Sequence, residues 1–247
     1  MSSTAETGHA INVANFNVLI TYTEGYGVVF NPSRDTIKII AMKALSKSAA
    51  DANAAVNAAK VPYSKAVAAR DVAFDPLSKF ITRVINSLKA SGVPQQVIDN
   101  ALTHSRKLQG RRSTPKLTDE QKAALKAEGK EARESSSSQL GFDDRLDNLD
   151  KLIQMLLSTP EYAPNETELK TASLTAMYTD LKAKNDAAVA TAAPLSNARI
   201  ARNEIFYKED TGLVATSLNA KAYIKSVYGA SSPQYKQVSG INFTTLK

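Results

Sequence analysis

The chain has 247 residues, room for one large domain or two smaller ones, with 43% hydrophobic residues, 6% aromatics and no Trp. It has no Cys, which excludes disulfides, thiolate metal sites and cysteine nucleophiles. The formal charge of +7 permits an anionic partner, although a solvated basic surface is its ordinary meaning.

The first residues show neither a basic n-region nor an apolar h-region, so no secretory signal is read. No run approaches the roughly 18 uncharged apolar residues of a membrane helix, and the expectation is a cytoplasmic protein with no membrane span. Phe16, Val18, Ile20 and Tyr22 alternate like a strand, with a turn at Glu24-Gly25-Tyr26-Gly27. A second copy of the region decides otherwise. Seven non-alanine pairs lie 132 positions apart: Pro32/Pro164, Lys38/Lys170, Asn53/Asn185, Pro62/Pro194, Ser64/Ser196, Arg70/Arg202 and Phe74/Phe206. In that second copy Leu146, Leu149, Leu152, Ile153 and Leu156 have helical spacing, and with one residue of slippage in the following loop Phe16, Leu19 and Ile20 align with Leu149, Leu152 and Ile153. The opening element of each copy is therefore a helix, near 11–23 and 143–158.

A second helix follows Pro32 and Pro164, with Ser33 and Asn165 as expected N-caps. Its stripe is Ile37, Ile40, Ala41, Ala44 and Leu45, continuing through Val56. Pro62 and Pro194 interrupt it, and the expectation is a turn or sharp kink, because a proline removes one amide and collides with the preceding turn. Asp75-Pro76 opens a further helix bearing Leu77, Ile81, Val84, Ile85 and Leu88. In the second copy its counterpart follows an insertion of about seven residues. Pro94-Gln95 and Pro233-Gln234 close the copies. The fold class is all-α: a tandem duplication of an antiparallel three- to four-helix unit, forming an elongated bundle. Its domains are read as repeats over 1–102 and 141–247, joined by a mobile, charged linker over 103–140.

The linker opens with Arg106, Lys107, Arg111, Arg112 and Lys116 and no acidic residue among them, the best candidate for anion or nucleic-acid contact. No aromatic side chain is interleaved, so base stacking is unsupported. Thr118 and Gln121 fit a capping box for a helix from Asp119 to about Glu134. Leu125 is its one large apolar residue, and an isolated helix of that length is marginal.

Arg70 and Arg202 share the pattern Ser-x-Ala-x-x-Ala-Arg. They read either as packing residues or as symmetric guanidinium forks for a ligand. Asp143, Asp144, Asp147 and Asp150 gather near one helix start, where the macrodipole favours them without a metal. Of the two histidines only His9 stands in a Glu-x-x-His pair, with Glu6, and His104 does not, so the two such pairs that a di-iron bundle needs are not present. No Walker loop, dinucleotide fingerprint, nucleophile elbow or zinc motif is present. No catalytic residue, metal or cofactor is assigned, and the chain is read as a non-enzyme.

Three stretches resemble a family of uncharacterised, duplicated all-helical proteins of Bacteroidota. They run from Gly8-His9-Ala10 to Asn31-Pro32-Ser33, over Gln109-Gly110-Arg111-Arg112-Ser113-Thr114-Pro115-Lys116, and from Tyr223-Ile224-Lys225-Ser226 to Gln237-Val238. The likeness covers nearly the whole chain and implies an autonomous bacterial protein, while supplying no activity or residue role.

The leading functional expectation is a structural or interaction protein that assembles with itself or with a scaffold. A nucleic-acid-associated protein using the basic linker is the alternative. The third is a membrane-active protein inserting Val28-Val29-Phe30 or residues 223–228.

Overall fold

A computed structural model describes residues 4–111, 118–127 and 140–245 of the chain. It is all-α, with no strand among the described residues. The helices are α1 (Thr4–Gly25), α2 (Ile39–Phe74), α3 (Leu77–Ala90), α4 (Gln95–Gln109), α5 (Asp119–Ala127), α6 (Phe142–Leu157), α7 (Thr171–Tyr207), α8 (Leu213–Tyr228) and α9 (Pro233–Ser239).

The 132-residue register extends from residues to elements. Short 3-10 turns at Asp35–Ile37 and Thr167–Leu169 precede α2 and α7, and α1 and α6 end at Gly25 and Leu157. The opening segment is a helix in both copies. Its aligned side chains Phe16, Leu19 and Ile20 are 0–4% exposed, and Leu149, Leu152 and Ile153 are 1–2% exposed.

Three local expectations are corrected. Ser33 and Asn165 do not cap α2 and α7, because the 3-10 turns intervene. Lys38 and Lys170 then take extended backbone, with ψ of 143° and 145°, before each helix begins. Nor do Pro62 and Pro194 make turns: each lies inside a continuous helix, of 36 residues in α2 and 37 in α7. Each proline forfeits one amide bond, to the carbonyl of Ala58 or Ala190, yet neighbouring turns stay helical and the exposed ring displaces no core contact. Ile40, assigned to the buried stripe, is 85% exposed, while Met42 is fully buried in its place.

The chain divides into two compact units, one made of residues 1–64 and 191–247, the other of 65–190. These units do not follow the two sequence copies 1–102 and 141–247, because the helices that carry Pro62 and Pro194 continue past them. In the first unit Phe16, Leu19 and Ile20 of α1 and Met42 of α2 share a core with Phe206, Leu213, Ile224 and Val238. In the second, Phe74 and the apolar faces of α3 and α4 share one with Leu146, Leu149, Leu152 and Ile153 of α6 and Leu174 and Leu181 of α7. Each core thus draws on both copies.

The expected capping box is present at α5: Gln121 N–H donates to Thr118 Oγ1 at 3.3 Å, and Thr118 N–H to Gln121 Oε1 at 3.0 Å. The expected linker begins later than residue 103, since α4 runs to Gln109 and buries Ser105 and Leu108. The expected continuation of α5 toward Glu134, and the mobility of 112–117 and 128–139, lie outside the described residues.

Candidate functional site

In the second unit, α3 and α4 pack on each other and leave a polar cleft of about 370 Å3 along their junction. Thr82, Ile85, Asn86 and Lys89 supply one wall, and Leu102, Ser105, Arg106 and Gln109 the other. Both sets follow the i, i+3, i+4, i+7 spacing of a single helix face. The members that lie deepest, Ile85 and Ser105, are 4% exposed and belong to the buried side of each helix. Gln109 closes one end, its Nε2 donating at 2.8 Å to both the Ser78 carbonyl and Thr82 Oγ1.

Arg111 completes the rim by way of a local turn. Gly110, at φ 65° and ψ 23°, ends α4 in the left-handed region. The Gly110 amide donates to the Lys107 carbonyl at 3.2 Å and the Arg111 amide to the Arg106 carbonyl at 2.8 Å, which is a Schellman motif. The turn returns the chain toward the helix it leaves, so Arg106 and Arg111 meet at one cleft. Lys89 joins them from the last turn of α3. Three cations and the neutral donors Thr82, Asn86, Ser105 and Gln109 line the cleft, and among the described residues no carboxylate does. That chemistry suits an anion, since guanidinium forks bind phosphate or carboxylate oxygens in pairs.

Of the five cations expected to act together, Arg106 and Arg111 line the cleft. Lys107 sits on α4 outside the lining, and Arg112 and Lys116 lie outside the described residues. Lys89, Asn86 and Gln109 were missed. Their signal was the matched spacing of 82–89 and 102–109, which only the pairing of α3 with α4 makes meaningful.

Arg70 and Arg202 serve packing in different units. The Arg70 guanidinium carbon lies 3.8 Å from the centre of the Phe142 ring, and Nη1 donates to Asn185 Oδ1 at 3.4 Å. Asn185 Nδ2 in turn donates to Asp143 Oδ1 at 2.7 Å. Arg202 is 6% exposed and reaches Asn203 Oδ1 from Nε and Nη2, at 3.3 and 3.2 Å. Arg145 plays a like part that sequence spacing did not reveal: it donates to the Phe74 carbonyl at 3.0 Å, and burial lowers its pKa.

The acidic group near residue 143 is dispersed among partners. Asp147 pairs with Lys151 at 2.5 Å and Asp150 accepts from Gln154 at 3.2 Å. Among the described residues no cluster of three or more His, Asp or Glu is placed to hold a metal ion. His9 is buried edge-on to Phe206 and Tyr207, with ring centres 5.1 and 5.6 Å away. Phe30, expected as part of an inserting segment, is 6% exposed and meets Tyr223 edge-on at 5.3 Å. Among the described residues no helix is long and apolar enough to cross a membrane.

Neither a protein-family model nor a curated protein nor a solved structure matches the chain.

Proposed function

We propose that the chain is a non-catalytic interaction protein that contacts the phosphate backbone of a nucleic acid at the cleft between α3 and α4. One observation carries the reading: Lys89, Arg106 and Arg111 converge on one polar cleft that, among the described residues, no carboxylate lines. Among the described residues no aromatic side chain lines it either, so contact is with phosphate rather than with base faces. The 132-residue register is read as gene duplication, with the cleft built in one copy by α4, which is longer than its counterpart α9.

The test is fluorescence anisotropy with a labelled single-stranded oligonucleotide. Three phosphate contacts give a salt slope of about −2, so affinity falls on the order of 20-fold between roughly 50 and 200 mM salt. Replacing Lys89, Arg106 and Arg111 together by Gln removes binding, whereas Lys47→Gln in the other unit leaves it. No binding at low salt, or equal loss in both variants, overturns the reading.

Self-association is a second reading, supported by large aliphatic side chains held in solvent: Val28 is 95% exposed, Val72 75% and Ile200 65%. Light scattering over a wide concentration range decides it, and a constant monomer mass removes it.

A further inference from the structure

The cleft between α3 and α4 is short and bounded at both ends. At one end Gln109 crosses from α4 to α3, and Thr82, which accepts from its amide, donates to the Ser78 carbonyl at 3.2 Å. At the other, residues 91–94 join α3 to α4 just beyond Lys89, and Val93, 7% exposed, packs this connection into the core. Between these stops the wall on α3 runs from Thr82 to Lys89, about 10 Å at 1.5 Å per helical residue. The volume of about 370 Å3 lies at the low end of the roughly 300–1,000 Å3 of small-ligand sites.

A nucleic-acid strand meets such a cleft in one of two ways. A continuous strand crosses the rim and offers one phosphodiester, with a single negative charge. A strand that ends there offers a phosphomonoester, which carries a charge of about −1.5 to −2 at neutral pH and three free acceptor oxygens. The walls suit the second. Lys89 and Arg106 stand on opposite walls, so two cations face one short space. Thr82 and Gln109 are committed to each other, which leaves Asn86 and Ser105 as the neutral donors. Ser105, 4% exposed, lies at the floor, below a backbone that only crosses the rim.

We infer that the cleft takes the phosphorylated end of a nucleic-acid strand. Lys89, Arg106, Asn86 and Ser105 hold the terminal phosphate, and Arg111 on the rim meets the phosphodiester behind it. The inference rests on the nucleic-acid reading and names the part of the strand that is bound.

The test is competition, read by fluorescence anisotropy at roughly 50 mM salt, among single-stranded oligonucleotides of one sequence. One form is 5′-phosphorylated, one 3′-phosphorylated, one has hydroxyls at both ends and one is a closed circle. At least one phosphorylated form is expected to bind about tenfold more tightly than the hydroxyl-ended form, because the added charge and oxygen supply one more charge-assisted hydrogen bond. The circle, which has no end, is expected to bind no better than the hydroxyl-ended form. Asn86 and Lys89 are exposed, so Asn86→Ala and Lys89→Gln leave the core intact. Each is expected to narrow the tenfold ratio, whereas Lys47→Gln in the other unit leaves it. Equal binding of all four forms overturns the inference and leaves contact with the continuous backbone standing. A circle that binds as tightly as the phosphorylated forms, or a ratio that survives both cleft variants, overturns it in the same way. No binding of any form removes the nucleic-acid reading itself, and the inference with it.

Discussion

Gly110 sits so close to Leu140 that a Cβ on the glycine would lie 2.8 Å from Leu140 Cδ2 and 2.9 Å from Cδ1. The same glycine has φ 65°, a conformation costing an L-residue about 1–2 kcal/mol. Gly110→Ala meets the backbone penalty in full, while the exposed Leu140 side chain has room to turn aside. Chemical denaturation is expected to show about that loss, together with weaker oligonucleotide binding as Arg111 loses its aim on the cleft. Unchanged stability and binding would show that the Schellman turn does not set the cleft.

Pro62 and Pro194 give the opposite expectation. Each is exposed within a continuous helix, so replacing it by Ala removes no packed side chain and restores an amide donor to the carbonyl four residues earlier. Pro62→Ala is expected to stabilise the protein by about 1–3 kcal/mol, with Pro194→Ala similar. Thermal unfolding followed by circular dichroism measures this, and a lowered midpoint would show that the prolines are required where they stand.

The phenols fix the response to alkali. Burial raises the pKa of Tyr26, Tyr162 and Tyr207 above its ordinary value, and Tyr162 also donates to the Leu169 carbonyl at 2.8 Å. The folded state holds these protons more tightly than the unfolded chain, so their contribution is complete below about pH 10 and declines as pH rises toward the folded values. Lys221 acts in the other direction: burial lowers its pKa, and its share of stability rises as pH approaches about 10.4. The amine's share is complete near that pH, whereas the phenols go on losing theirs above it. Denaturant midpoints are expected to fall above pH 10. Tyr162→Phe should make that fall shallower, at a cost of about 1 kcal/mol at neutral pH from the lost hydrogen bond.

Local signals in the sequence were legible where a residue acts on its own neighbourhood. Thr118 and Gln121 form their capping box at the expected spacing. Comparing Phe16, Leu19 and Ile20 with Leu149, Leu152 and Ile153 turned an apparent strand into a helix. What could not be read was pairing. Periodicity marks which face of α1 is apolar, but Phe16 is equally suited to either copy's partners, and it packs with Phe206 and Leu213. The prolines misled because their local cost is certain while helix on both sides can absorb it. Lys89 escaped notice because a single lysine in the last turn of a helix has an ordinary electrostatic reason to be there. Only the neighbouring helix makes it one of three.

The nesting of one unit within the other imposes an order on synthesis. Residues 65–190 emerge as one uninterrupted stretch and contain every partner their core requires. Residues 1–64 emerge earlier, yet Phe16, Leu19 and Ile20 find Phe206, Leu213 and Ile224 only once those later residues have left the ribosome. The α1 face therefore emerges before the inner unit and is sheltered after it. A product halted near residue 190 would carry a finished inner unit beside an apolar helix with nothing to cover it, the kind of surface that chaperones and proteases recognise.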